Sequence, residues 1–193
     1  MAAAIYSTTA QEGIDVNNVF ILDPVGTPEL PGPPFPVGEL AWGTDGSEWA
    51  FCTASITIGA GSVVLISQTP GSWSVALIGG STLTASGNVT GALVGVVGGS
   101  QGSLFVPAPS GTQRGCYFWV QRAGNAPNVK TLASTTKNAQ LHSVATLGGV
   151  LSSSGGGTNT TYQVNGIVIS LATGSAAGPN TAVLNYPVVG TTS

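Results

Sequence analysis

The sequence has 193 residues and a formal net charge of −3, and Asp, Glu, Lys and Arg make up only 6% of it, against about 25% in a typical soluble domain. Its mean hydropathy is +0.34, yet Gly, Ser or Thr interrupt the longest apolar runs well before the roughly 18 residues of a membrane-spanning helix, so we expect no membrane association. The isoelectric point near 4.7 argues against nucleic-acid binding, because few cations are available to displace counterions from phosphates. A surface with so little charge is typical of a secreted β protein or of a subunit buried in an assembly, and we favour the assembly.

The first 38 residues differ from the rest of the chain because they contain six prolines. Residues 29–38 cannot form a helix or a central strand, since Pro lacks an amide donor and fixes φ, so we predict an extended, polyproline-like arm over residues 1–38. A short apolar segment at 19–22 is able to add to a sheet as a strand. The segment is either a flexible tail or an arm laid on a neighbouring subunit. In the second interpretation three apolar side chains anchor the arm: Phe20, Leu22 and Phe35.

Residues 39–193 are predicted to form one β domain. Short runs rich in Val, Ile and aromatic residues alternate with Gly-, Pro- and Asp-containing turns, and residues 132–147 are only a weak helix candidate. The spacing of strands and turns predicts an all-β fold, an antiparallel β-sandwich of jelly-roll type or a small barrel, with a Gly/Ser-rich loop near 152–157. The predicted strands lie at 49–54, 62–67, 73–78, 92–97, 116–121, 166–171 and 182–186.

Charged residues are segregated along the chain. All seven acidic residues fall within the first 48 positions, so one end of the chain is anionic and a later segment is cationic. Opposite patches of this kind pair within a subunit or between copies, where they help to set register. We therefore take the four bases as candidate interface residues: Arg114, Arg122, Lys130 and Lys137.

The inventory of reactive side chains argues against an enzyme. His142 is the only histidine, no GxSxG motif marks a nucleophile, and we expect His142 on the surface or in a loop. Cys52 and Cys116 lie in apolar strand-like runs, where we predict reduced core residues, with a Cys52–Cys116 disulfide as the alternative. We predict no catalytic residues, no metal site and no cofactor.

The tryptophans are interpreted as core or interface anchors, with a carbohydrate-binding face as the alternative. The two strands around Trp49 and Trp119 each also carry a Cys and several apolar residues. This similarity makes the two strands candidates to pair with each other.

The segment 42–54, with its Gly-Thr-Asp-Gly-Ser-Glu-Trp turn and following strand, resembles small bacteriophage head proteins, as does the Ile-Gly-rich turn leading into Val-Val at 56–64. The segment 115–124, with an aromatic Trp-Val-Gln strand ending in Gly, is similar to a later strand of the same capsid decoration (cement) proteins. The matching stretches cover about half of the chain. The proline-rich arm and the Gly-rich tail lie outside the match.

The resemblance implies a β-sandwich or barrel on the outer surface of a phage head, bound to the tailed-phage major capsid protein as a homodimer or homotrimer and stabilising contacts between capsomers. The arm anchors and the four bases would then be capsid or subunit contacts. The N-terminus lacks the basic region and continuous apolar segment of a signal peptide, so synthesis in the host cytoplasm is expected. The alternative is a phage tail, fibre or surface adhesin domain that binds a glycan or host receptor.

Overall fold

The computed structural model describes residues 5–7, 14–16, 19–24, 33–54, 56–69, 72–79, 90–98, 104–105, 113–144, 146–153, 162–171 and 177–192. Within these residues all of the regular secondary structure is β-strand, which confirms the predicted fold class. The strands are β1 Ile5–Ser7, β2 Val19–Pro24, β3 Leu40–Gly43, β4 Glu48–Ala54, β5 Ile58–Gly59, β6 Val63–Thr69, β7 Ser72–Leu77, β8 Leu93–Val97, β9 Leu104–Phe105, β10 Gln113–Thr131, β11 Leu141–Val144, β12 Leu147–Ser152, β13 Tyr162–Ile169 and β14 Gly178–Thr192.

Twelve of these strands form one mixed sheet, and β5 and β9 form a separate antiparallel pair. The long strand β10 organises the sheet, because its first half pairs with β2 and β4 and its second half pairs with β14. The strand pairings form two closed rings of hydrogen-bonded strands, and β10 belongs to both rings. The first runs β4–β10–β8–β6–β7 and the second runs β10–β14–β13–β11–β12. The sandwich and the small barrel that the sequence suggests both remain predictions.

Two apolar core clusters lie on opposite faces of β6 and β8. Because successive side chains of a strand point to opposite faces, Val64 and Ile66 enter the first core cluster and Val63 and Leu65 enter the second. Burial on both faces explains why β6 begins with a continuous apolar run rather than with alternating apolar and polar residues. The first core cluster also contains Ala50, Cys52, Ala54, Val75, Val97, Cys116, Phe118 and Val120. The second also contains Ile78, Val94, Val129, Leu141, Leu151, Val164, Ile167, Ile169, Leu184 and Val189.

The described parts of residues 1–38 belong to the same sheet as the residues that follow them. β1 pairs with β3, and β2 pairs antiparallel with the first half of β10. A third, aromatic cluster joins this segment to β4 and β10, with Phe35 packed 5.2 Å from Trp119 and 5.4 Å from Phe51 between ring centroids. Phe20 lies 5.9 Å from Phe51. The segment therefore covers an aromatic face of its own subunit.

The weak helix candidate at 132–147 forms turns and strand instead. Ser134 and Asn138 adopt positive φ angles of 58° and 56°, which a helix does not contain. Leu132 and Asn138 donate backbone hydrogen bonds to Leu151 and Ile169. Residues 132–140 are therefore a tight loop held against the ends of β12 and β13, and strand β11 follows them.

Cys52 and Cys116 are free, buried thiols in the first core cluster. Burial raises the pKa of Cys52 to about 12 and that of Cys116 to about 11, from an ordinary value of 9.0. In the unfolded chain both thiols ionise above pH 9, whereas the folded chain keeps them protonated. The unfolded state then binds fewer protons, so the free energy of unfolding falls as pH rises.

We expect this alkaline loss of stability between pH 9 and 11 to amount to about 1.4 kcal/mol per pH unit for each ionised thiol. Urea unfolding at pH 8, 9, 10 and 11 measures it. The double variant C52A/C116A will be less stable at every pH because of the volume that it loses, but its stability will fall less steeply across this range. The same slope in both proteins would show that the thiols are not protected in the folded state.

Candidate interaction site

A short turn between β3 and β4 positions the side chains of Glu48 and Trp49. The Oδ1 atom of Asp45 accepts hydrogen bonds from the Ser47 backbone N–H at 3.0 Å and from the Ser47 hydroxyl at 2.6 Å. The Ser47 hydroxyl oxygen in turn accepts the Trp49 indole N–H at 2.9 Å. Gly46 has a φ of +79°, which favours glycine. The turn therefore fixes Trp49 in the aromatic cluster and sets Glu48 as the first residue of β4.

Hydrogen bonding within this turn keeps a carboxylate charged at its tip. The bond from the Ser47 hydroxyl is the largest of the effects that lower the pKa of Asp45. Asp45 is exposed. The tip of the turn therefore carries a negative charge over the whole physiological pH range.

Glu48 and Arg122 form an ion pair between the acidic and basic segments of the chain. The Arg122 Nη1 atom lies 3.5 Å from the Glu48 Oε1 atom, and the two side chains are 14% and 9% exposed. Arg122 reaches Glu48 because β10 and β4 pair there, with a register shift between Gln121 and Ala123. The segregated charges of the sequence thus meet within one subunit at this point.

Two aromatic rings enclose the Arg122 guanidinium. Its carbon lies 5.8 Å from the ring centroid of Trp73 and 5.6 Å from that of Tyr186, distances at which a cation is attracted to the face of a ring. The Tyr186 hydroxyl donates a 2.9 Å hydrogen bond to Glu48 Oε2. We call these four residues, Glu48, Trp73, Arg122 and Tyr186, the Glu48 site.

Tyr186 is the exposed member of the Glu48 site and has an unusual backbone. Its side chain is 50% exposed, and its φ of +44° lies in the left-handed region, which costs a non-glycine residue energy. The neighbouring strand makes room with Gly166, where a Cβ atom would lie 2.6 Å from the Asn185 carbonyl oxygen. The hydrogen bond to Glu48, followed by the Glu48 charge, raises the pKa of Tyr186. Both the ring and its hydroxyl are therefore held in place.

The Glu48 site closes one end of the first core cluster. Glu48 lies two residues before Ala50 on β4 and so points to the side occupied by that cluster. The Arg122 charge acts on Cys52 within the same cluster. Trp73 packs against the same cluster. The site therefore has a structural role, and Tyr186 is its member that is exposed at the surface.

The tryptophans do not share one exposed face. Trp119 and Trp49 are buried, Trp73 is half-buried, and Trp42 is 41% exposed. Trp42 is directly opposite Glu48 in the β3–β4 register. The groove of exposed tryptophans that the carbohydrate-binding alternative requires is not formed by these side chains.

The predicted arm anchors contact their own subunit where the structure describes them. Phe20 and Phe35 pack in the aromatic cluster, so their rings are engaged within the chain. Leu22 lies opposite Gly115 in the β2–β10 register, and its side chain is outside the described residues. An interface role for these three residues remains a prediction.

The four candidate bases lie along β10 and the loop after it rather than in one patch. Arg122 is paired with Glu48 as described above. Lys130 donates from Nζ to the Ser62 hydroxyl at 3.0 Å, and burial lowers its pKa. Lys137 is exposed in the loop between β10 and β11, and the side chain of Arg114 is outside the described residues. Among the three bases whose side chains the structure describes, Lys137 is the most exposed to solvent.

His142 lies on a strand rather than in a loop, which corrects one of the two placements expected from its polar sequence context. It is half-buried on β11, opposite Ser152 of β12 and Gln163 of β13.

Among the residues that the structure describes, no group of three or more His, Cys, Asp or Glu side chains is arranged to hold a metal ion. No helix in the described part of the chain is long and apolar enough to span a membrane.

Sequence reasoning identified Arg122 and the Asp45–Trp49 turn but missed Tyr186 and the ring contact of Trp73. Tyr186 is separated from Glu48 by 138 positions, and no local pattern links the two.

In comparisons with known proteins, no family model matches this chain, and no curated protein matches it.

Proposed function

We propose that this chain is a non-enzymatic structural virion protein, a decoration protein that binds the outer surface of a tailed-phage head and stabilises contacts between capsomers. The proposal starts from the resemblance of segments 42–54 and 115–124 to phage head proteins. One observation supports it most: these two segments form neighbouring antiparallel strands, with Trp49 opposite Gln121. The residues that carry the resemblance therefore make one structural unit.

The Glu48–Arg122 ion pair joins the same two segments. The aromatic residues of both, Phe51 and Trp119, pack 5.1 Å apart between ring centroids. Short Gly, Asp and Trp patterns recur by chance in unrelated β proteins, but chance matches have no reason to meet in space. Their juxtaposition makes the two matching segments one unit of the fold, which supports the proposal.

The composition fits a subunit that binds in many copies. Few Lys and Glu side chains are present to lose conformational freedom at an interface, and an oligomer that engages several equivalent sites on one shell gains avidity from weak individual contacts. Homodimeric or homotrimeric association, the major capsid protein as partner and the outer capsid surface as location are parts of this proposal. Neither a nucleic acid nor a cofactor is required for the role.

Co-sedimentation with phage shells tests the proposal. Purified chain is mixed with expanded heads of candidate tailed phages from which the decoration protein has been removed, and the pelleted protein is quantified against its free concentration. We expect saturable binding with a fixed number of copies per shell. Heads already saturated with their own decoration protein serve as the control and should bind little.

Deletion of residues 1–38 is an unsuitable variant for this experiment, because it would uncover Phe51 and Trp119 and disturb the fold. The full chain should therefore be used. Failure to bind every stripped shell would overturn the proposal. Binding to a defined oligosaccharide on a glycan array, without binding to any shell, would establish the tail, fibre or adhesin alternative instead.

A further inference from the structure

We propose that Trp42 and Tyr186, which we call the Trp42–Tyr186 surface, form a binding site for arginine side chains of a partner protein. This inference goes beyond the proposed function, because it specifies a chemistry of recognition that does not depend on which particle carries the partner. Trp42 and Tyr186 are 41% and 50% exposed. Tyr, Trp and Arg are the residue types that most often dominate the energy of protein interfaces.

Both rings adjoin the same carboxylate. Trp42 is directly opposite Glu48 across β3 and β4, so the two side chains leave the sheet on the same side. Tyr186 reaches Glu48 from the other direction through its 2.9 Å hydrogen bond. The two exposed rings therefore flank Glu48 rather than lying on separate surfaces.

The Tyr186 ring is held rigidly although half of it faces solvent. Its hydroxyl is bonded to Glu48, one ring face meets Arg122, and its backbone is held at a φ of +44°. Residues kept in such sparsely populated conformations cluster at binding sites. An aromatic ring that is already immobilised loses little conformational entropy when a partner binds.

The charge around this surface selects a cationic partner. Asp45 is exposed in the turn that follows Trp42, and hydrogen bonding keeps it ionised. Arg122 and Glu48 neutralise each other, so the carboxylate of Asp45 gives this surface its negative charge, and complementary charge steers a positive partner towards it.

The protein already binds one guanidinium between rings in this region. Arg122 lies between Trp73 and Tyr186 at 5.8 Å and 5.6 Å. A planar guanidinium stacks on aromatic faces and is less strongly hydrated than an ammonium group. Exposed rings beside a carboxylate therefore favour arginine over lysine as the partner side chain.

Nuclear magnetic resonance of the tryptophan indole N–H groups tests the inference with a defined probe. The probe is the peptide acetyl-Gly-Arg-Gly-Arg-Gly-amide, titrated into ¹⁵N-labelled full-length protein. We expect the Trp42 indole signal to shift saturably while the buried Trp49 and Trp119 signals stay in place. The same peptide with citrulline in place of arginine, which has nearly the same shape but no charge, should bind about fivefold more weakly.

Three variants identify the surface. Tyr186→Asn suits the left-handed backbone and removes the ring, so it should weaken arginine-peptide binding about fivefold. Tyr186→Phe keeps the ring and should retain binding within about twofold. Leu171→Asn alters an exposed apolar side chain elsewhere, 64% exposed, and should have no effect. Unchanged Trp49 and Trp119 signals verify that each variant is folded.

Equal shifts with the citrulline peptide, no shift with the arginine peptide, or binding that Tyr186→Asn leaves unchanged would each overturn the inference. The peptide assay is independent of phage shells. A chain that binds the arginine peptide but no shell would retain the Trp42–Tyr186 surface and lose the decoration role, whereas the reverse pattern would retain the role and refute the arginine site.

Discussion

Replacement of Phe51 by Ala is expected to lower the free energy of unfolding by about 4 kcal/mol. Phe51 is fully buried and contacts four rings, with centroid distances of 5.9 Å to Phe20, 5.4 Å to Phe35, 5.9 Å to Tyr117 and 5.1 Å to Trp119. The loss combines the burial free energy of the ring with the cost of the cavity left behind. Urea unfolding followed by far-ultraviolet circular dichroism measures it.

The exposed side chain of Leu147, 48% accessible, supplies the matched control. Leu147→Ala should change the free energy of unfolding by less than about 0.5 kcal/mol. A loss below about 1.5 kcal/mol for Phe51→Ala would contradict the aromatic cluster. It would mean that residues around Phe20 and Phe35 do not pack on β4 as the structure describes.

Glu48→Gln is expected to cost about 3 kcal/mol of stability, because it removes one partner of a buried ion pair and leaves the Arg122 charge uncompensated. The two side chains are only 9% and 14% exposed, so solvent screens the remaining charge little. The Gln side chain retains an oxygen that can accept the Tyr186 hydroxyl. The loss therefore reports on charge rather than on hydrogen bonding, and urea unfolding at pH 7 measures it.

The double variant Glu48→Gln with Arg122→Met separates the ion pair from general damage to this end of the core. Removing both charges takes away the unpaired cation and leaves an apolar chain between Trp73 and Tyr186. It should recover most of the stability lost by Glu48→Gln, as replacement of whole buried pairs often does. A double variant less stable than Glu48→Gln alone would show that Arg122 stabilises the fold through its contacts with the Trp73 and Tyr186 rings rather than through Glu48.

The positions of β6 and β8 could be predicted from the sequence because each of these strands is apolar over most of its length. The predicted runs 62–67 and 92–97 match β6, Val63–Thr69, and β8, Leu93–Val97, to within two residues. Both strands lie between two core clusters, and burial on both faces gives continuous Val- and Leu-rich runs. The expected pairing of the Trp49 and Trp119 strands is confirmed, because β4 pairs with β10.

The length and path of β10 could not be predicted. Only its segment 116–121 is strongly apolar, whereas the strand extends from Gln113 to Thr131. Register shifts interrupt its pairing with β4 after Gln121 and its pairing with β14 after Ala126. Such shifts depend on partners that are distant in sequence, and Gly124-Asn125 within the strand suggested a turn.

The sequence indicated the charged pair of the Glu48 site but not its contact with Tyr186. The segregation of acids and bases indicated that opposite charges would meet, and Glu48 with Arg122 does so within the subunit. Tyr186 could not be found, since its role depends on a positive φ and on a contact across 138 positions. The proline content of residues 1–38 suggested a separate arm, yet strand pairing with β3 and β10 outweighs it where the structure describes this segment.

The temperature at which phage heads release their DNA shows whether this protein has the proposed head-stabilising role. DNA-filled heads lacking a decoration protein are incubated with saturating purified chain, and DNA release is followed with an impermeant intercalating dye during heating. The proposed function predicts a higher release temperature than in heads alone, increasing with occupancy until the sites are full. Heads that bind the chain to saturation and still release DNA at the unmodified temperature would contradict it.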